Sequence, residues 1–171
     1  TANSLLGQLT GMAMATVNLP VVIDQAIGMS LVPSISEAYA LNQINRARKE
    51  AKTGLKTILL VVLPCTFGLA ALATPIMSLL FPSIEATGPA SLGTLLFVVA
   101  PSAIFLGLVY AQNGILQGMG KPMVPVMALL VGMLFKVVIS YTLTGIASVN
   151  IIGSGIGTVS AYAVASIIEF I

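Results

Sequence analysis

The chain has 171 residues, of which 57% are hydrophobic and only 7% charged, with a formal net charge of +2. Soluble domains carry about a quarter charged residues, so a water-facing surface cannot be built from this composition. With no His and one Cys, intrachain disulfides are excluded and metal or thiol chemistry lacks ligands.

The few basic residues do not form the clustered surface with polar partners that nucleic-acid binders show, so no nucleic acid is expected. The sequence opens with Thr1 and stops at Ile171 inside an apolar run, and it reads as an internal piece of a longer chain. A spanning helix needs about 20 mostly apolar residues. About five such runs are present in a single all-α bundle over 1–171, at approximately 5–32, 57–81, 91–117, 123–145 and 151–171.

The first run carries Asn18, Pro20, Asp24 and Gln25. Charges inside a span cost about 2.5 to 3.5 kcal/mol at its centre, so they normally face a cavity or a partner. Asn18 and Gln25 are seven residues apart and share a face, whereas Asp24 is turned off it. Pro33 is expected to end this helix, and Ser34-Ile35-Ser36-Glu37 has the form of a capping box that starts another. From there Leu41, Ile44, Ala47, Ala51 and Leu55 recur at intervals of three and four, with Arg46, Arg48, Lys49, Lys52 and Lys56 around them. That pattern predicts a cytoplasmic amphipathic helix over 35–56 lying at the inner surface. Its charges serve either positive-inside topogenesis or attraction to anionic lipid.

The second run holds Pro64 and Cys65, the latter reading as a small buried hydrophobe. Its connector to the third run, Pro82 to Ala90, has no Lys or Arg. The third run contains Pro101, then Tyr110, Gln112, Asn113 and Gln117. Tyr110, Asn113 and Gln117 fall on one helix face and are candidates to line the inner half of a passage, the alternative being interhelical hydrogen bonds. The turn Gly118 to Pro122 carries Lys121. The fourth run places Lys136 near its middle, either facing the same passage, pairing with Asp24, or snorkelling. The connector Ile146 to Asn150 is again free of basic residues. Glu85 and Glu169, at span ends, are expected to be solvated. Because short basic loops stay in the cytoplasm, the connectors after the first and third spans face inward and the other two outward.

Prolines inside spans remove a backbone donor that lipid cannot replace, so Pro20, Pro64 and Pro101 are expected to bend their helices against protein or water. Gly114-x-x-x-Gly118 and Gly153-x-x-x-Gly157 have the small-xxx-small spacing of close helix contacts. No nucleophile elbow, Walker A or zinc-protease motif is present, so no enzyme, cofactor or metal is expected.

Two stretches carry a resemblance. Asn18-Leu19-Pro20-Val21-Val22 leading to Ser30-Leu31-Val32-Pro33-Ser34-Ile35-Ser36-Glu37-Ala38, and Asn113-Gly114-Ile115-Leu116-Gln117-Gly118-Met119-Gly120-Lys121-Pro122 followed by Pro125, resemble the polysaccharide-biosynthesis branch of the multidrug/oligosaccharidyl-lipid/polysaccharide exporter superfamily. Within it the chain looks most like the stage V sporulation protein B group, which includes lipid II flippases. The resemblance implies part of a two-lobed transporter of a bacterial cytoplasmic membrane, working by alternating access, with these spans in the second lobe and an N-terminal lobe as their partner. It also implies membrane lipid and a lipid-linked glycan, the peptidoglycan precursor included, as what the protein meets. Candidate cavity-lining residues are Asn18, Asp24, Gln25, Tyr110, Asn113, Gln117 and Lys136. The competing readings are a cation-coupled multidrug exporter of the same superfamily and a non-transporting scaffold for cell-wall synthesis.

Overall fold

A computed structural model describes residues 7–82, 91–144 and 151–170. The start of the first expected span, Glu85 in the second connector and the connector 146–150 lie outside the described residues. A π-helical turn, Gln8–Ala13, leads into α1 (Met14–Ala40), followed by α2 (Ile44–Ala71), α3 (Ala73–Leu80), α4 (Leu92–Val99), α5 (Ser102–Gly118), α6 (Met123–Thr144) and α7 (Ile151–Phe170). Among the described residues, four stretches are long and apolar enough to cross a membrane: Gly11–Ala40, Ile44–Ala71, Leu92–Gly118 and Met123–Leu143. The fifth expected span is the 20-residue α7.

Contacts fix the helix directions. Gly28 meets Tyr110, and Ile35 meets Gly118, so residue numbers rise together and α1 runs parallel to α5. Gly155 meets Val98 and Val99, and Gln112 meets Ser166, which makes α7 parallel to the α4–α5 pair. Gly132 meets Ala161, and Gly157 meets Ser140, so α6 runs the opposite way. In α2, Gly54 lies against Leu31, and Ala47 shares a cluster with Ala38, so α2 runs against α1. This alternation brings the Arg46-to-Lys56 stretch and the Lys121 turn to the same end of the bundle, as the charge pattern of the connectors requires.

The α4–α5 span is the centre. Of its apolar window 61% is buried, against 17% for α6. Leu92, Leu95, Leu96, Val99 and Ala103 pack with Val17 and Val21 of α1 and Ile58 and Val62 of α2. The outer faces are apolar too: Leu60, Phe67, Leu79, Met133 and Leu134 are all well exposed. In water such a surface would aggregate, whereas in a bilayer it lies against lipid or against further helices.

The helix ends differ from the sequence reading, with identifiable causes. Pro33 does not end the first helix: α1 continues through it to Ala40, so Ser34 and Glu37 are helix interior rather than a cap. Packing accounts for this, because Ile35 and Ala38, beyond the proline, are buried against Ala47, Ala51 and Met119. Pro33 and Met29, whose carbonyl loses its usual donor, are on the exposed side. The break comes at Asn42, with φ 56°, where Gln43 N donates to Ala38 O (2.8 Å) and Asn42 N to Tyr39 O (3.0 Å). That is a Schellman cap, and Asn tolerates the left-handed position.

The expected surface helix 35–56 is therefore not a separate element. Its first part belongs to α1 and its basic part forms the opening turns of α2, packed into a hairpin whose tip is tied by Arg46 Nη1 to Glu37 Oε1 at 3.3 Å. Both side chains are largely exposed, so this pair contributes well under about 1 kcal/mol.

The second expected span is broken at Leu72, between α2 and α3. Pro75 accounts for the break, since its ring would clash with the carbonyl four residues back, that of Ala71. Pro101 likewise separates α4 from α5. There the backbone tightens, Ala103 N donating to Ala100 O at 3.0 Å and Ile104 N to Pro101 O at 3.2 Å. This leaves the Val99 carbonyl without its usual amide, and the fully buried Ser102 supplies its hydroxyl instead, at 2.6 Å. α5 ends in a second Schellman cap, in which Gly120 (φ 73°) fills the left-handed position and Lys121 N donates to Leu116 O at 2.8 Å. Pro20 is buried, while Pro64 and Pro101 are exposed, and Cys65 is half-buried.

Candidate binding cleft

Gly28 and Gly114 bring the backbones of α1 and α5 into contact. A Cβ on Gly28 would run into the Tyr110 carbonyl, and one on Gly114 into the carbonyl of Gly28. Beside this crossing the two helices diverge into a cleft of about 410 Å³ lined by Gln25, Tyr110, Asn113 and Gln117, with Gly28, Met29, Val32 and Gly114. Gln25 comes from α1 and the other three from the face of α5 that the i, i+3, i+7 spacing defines. Asn113 Oδ1 is buried there without a hydrogen-bond partner. A cleft with three amide groups and a phenol, and with no charge, suits hydroxyl- and amide-rich solutes.

Four of the seven candidate residues thus meet in one place. The other three lie elsewhere. Asn18 is exposed, two turns from Gln25 and outside the cleft. Asp24 adjoins Gln25 in sequence, but the helix turns it about 100° away, into the interface of α1 with α2 and α5. It is 0% exposed and neither carboxylate oxygen has a hydrogen-bond partner. A Cβ on Gly107 would stand 3.0 Å from Asp24 Oδ2 and 3.1 Å from Ile58 Cγ2, so the absence of a side chain at Gly107 is what makes room for the carboxylate.

Lys136 lines a second cleft, between α6 and α7, of about 570 Å³ with Gly132, Met133 and Tyr162. It does not pair with Asp24; among the described residues the ion pair is Arg46–Glu37. Tyr162 and Tyr110 pack against the same core, which puts the two clefts on neighbouring parts of the bundle.

Gln112 is not a passage residue. It is buried, turned away from Tyr110 and Asn113, and clasps α7 through Ser166. Its offset from the i, i+3, i+7 face was the available signal, but the partner 54 residues away could not be read from it. Glu169 also departs from expectation: it is 7% exposed, with both oxygens unpartnered, rather than solvated. α7 packs this end of its length against the rest of the bundle, which takes the side chain out of solvent.

Spanning helices of alternating direction, exposed apolar surfaces and polar clefts between helices define a multi-pass α-helical membrane protein. The MatE family model matches residues 9–142, and the chain belongs to that family, in the multidrug/oligosaccharidyl-lipid/polysaccharide exporter superfamily. Over 142 residues, 83% of this chain and 26% of the relative, it is 27% identical to the lipid II flippase MurJ of Bacillus subtilis (strain 168). It is 34% identical over 80 residues to the sporulation protein YkvU of the same organism, covering 47% of this chain and 18% of that protein. The chain thus spans about a quarter or less of the length of these relatives. No solved structure matches the chain significantly.

Proposed function

We propose that this chain is part of one lobe of a flippase that carries a lipid-linked saccharide, a peptidoglycan precursor in the first instance, across the bacterial cytoplasmic membrane by alternating access. The observation that carries the reading is the convergence of Gln25, Tyr110, Asn113 and Gln117 in one cleft of an otherwise apolar bundle. Neutral amides and a phenol exchange hydrogen bonds with sugar hydroxyls and peptide groups without holding them too tightly to release. Lys136, in the neighbouring cleft, supplies a positive charge for a phosphate. The lipid chain stays against the exposed apolar faces, and the remainder of the protein supplies the facing lobe. A flippase also agrees with what the name of the Bacillus subtilis relative says of that protein.

The test is transport of a fluorescent lipid II analogue in proteoliposomes of the full-length protein. Asn113→Ala with Gln117→Ala, and separately Lys136→Ala, are expected to slow transport at least about tenfold, equivalent to about 1.4 kcal/mol, at unchanged melting temperature. Wild-type rates in both variants would remove the role given to the clefts.

A further inference from the structure

We propose that the groove where the ends of α1 and α5 meet the opening turns of α2 binds one anionic phospholipid from the leaflet that the basic connectors face. The groove is open on one side, with Ile35, Ala47, Ala51, Ile115 and Met119 as apolar walls and Tyr39 and Arg48 as its polar members. Its level in the bundle is fixed by Gly118, which touches Ile35 just before α5 ends in the polar turn at Gly120 and Lys121. The groove therefore crosses the boundary between hydrocarbon and headgroup. Ile35 and Ile115 lie toward the bilayer, and Tyr39 and Arg48 toward the end of the hairpin.

Charge complementarity selects an anion. Arg46, Lys49 and Lys52 are exposed on the same opening turns of α2 as Arg48. The acids nearby are Glu37, engaged by Arg46, and Glu50. A guanidinium at the mouth of an apolar groove matches a phosphate diester, which it binds through two parallel N–H donors, and Tyr39 suits the interface, where its ring and hydroxyl meet different surroundings. Positive-inside topogenesis alone explains the basic residues but not an open apolar groove beside them at headgroup depth. A free phosphate ion would leave the apolar walls unused. The inference needs the membrane orientation and is independent of the transport activity.

Native mass spectrometry of the full-length protein in detergent, with added phosphatidylglycerol or phosphatidylcholine of matched chains, tests it. One phosphatidylglycerol is expected to be retained about tenfold more than phosphatidylcholine. Arg48→Gln is expected to lower that preference about fivefold, and Ala51→Phe, which fills the groove without touching a charge, to lower retention as well. Lys121→Gln should leave both unchanged, and glycerol phosphate should not compete. Arg48 is exposed, so its variant tests the site even where Ala51→Phe disturbs packing. Equal retention of the two lipids overturns the proposal, as does an unchanged preference in Arg48→Gln. An equal loss in Lys121→Gln would overturn it in favour of diffuse attraction, and competition by glycerol phosphate in favour of a simple ion site.

Discussion

Gln112 and Ser166 hold each other across the bundle. Gln112 Nε2 donates to the Ser166 carbonyl at 2.9 Å, and Ser166 Oγ donates to Gln112 Oε1 at 3.1 Å. Both residues are buried, so neither amide nor hydroxyl has water to fall back on. The pair ties α7 to the central α5 at the level of the polar cleft, about 100° around α5 from Asn113.

Gln112→Leu is expected to destabilise the full-length protein by about 1 to 2 kcal/mol, because the Ser166 hydroxyl loses its acceptor in an apolar setting. Ser166→Ala is expected to cost about 1 kcal/mol, and the double variant less than the sum of the two. Unfolding in mixed micelles measures all three, and strict additivity would show that the pair is not coupled.

The crossing of α1 and α5 depends on two missing side chains. Gly28→Ala and Gly114→Ala each drive a methyl into a backbone carbonyl of the other helix, so the helices must part. Each is expected to cost about 1 to 3 kcal/mol and to slow transport although no polar group is removed. Gly68→Ala is the control: it meets no atom within 4 Å, and replacing Gly by Ala in a helix interior is expected to stabilise by up to about 1 kcal/mol. Thermal unfolding separates the two cases. A Gly114→Ala protein as stable as wild type would mean the helices are not in contact there.

Asp24 is sealed from both clefts and has no partner. Asp24→Asn keeps its shape and removes an uncompensated charge, so it is expected to raise stability by about 1 kcal/mol or more and to leave flipping of a lipid II analogue at the wild-type rate. A cation-coupled exporter would respond in the opposite way, losing transport when this carboxylate is neutralised. Comparing transport and melting temperature in one set of proteoliposomes decides between them.

Much of the bundle was legible because a bilayer leaves few choices. Runs of about 20 apolar residues had to be helices, and the basic residues at 46–56 and 121 had to share one end, which the parallel packing of α1 with α5 satisfies. The face formed by Tyr110, Asn113 and Gln117 was legible for the same reason, since helical periodicity alone places those three together. Local rules failed where packing outweighed them. Pro33 and the Ser34–Glu37 motif announce a helix boundary, but the burial of Ile35 and Ala38 against α2 carries the helix on to Asn42.

What the sequence determined by itself is the number and direction of the greasy helices and the side of each that carries amides, because these follow from hydropathy, charge placement and a fixed 3.6-residue turn. Only the tertiary structure decided that Gln25 joins Asn113 and Gln117 in one cleft, that Asp24 turns into the core behind Gly107, that Lys136 belongs to another cleft and that Gln112 reaches Ser166. Those outcomes rest on which helices touch and at what rotation, and that is set by the close approach allowed at Gly28 and Gly114, a relation between residues 86 positions apart that no local pattern encodes.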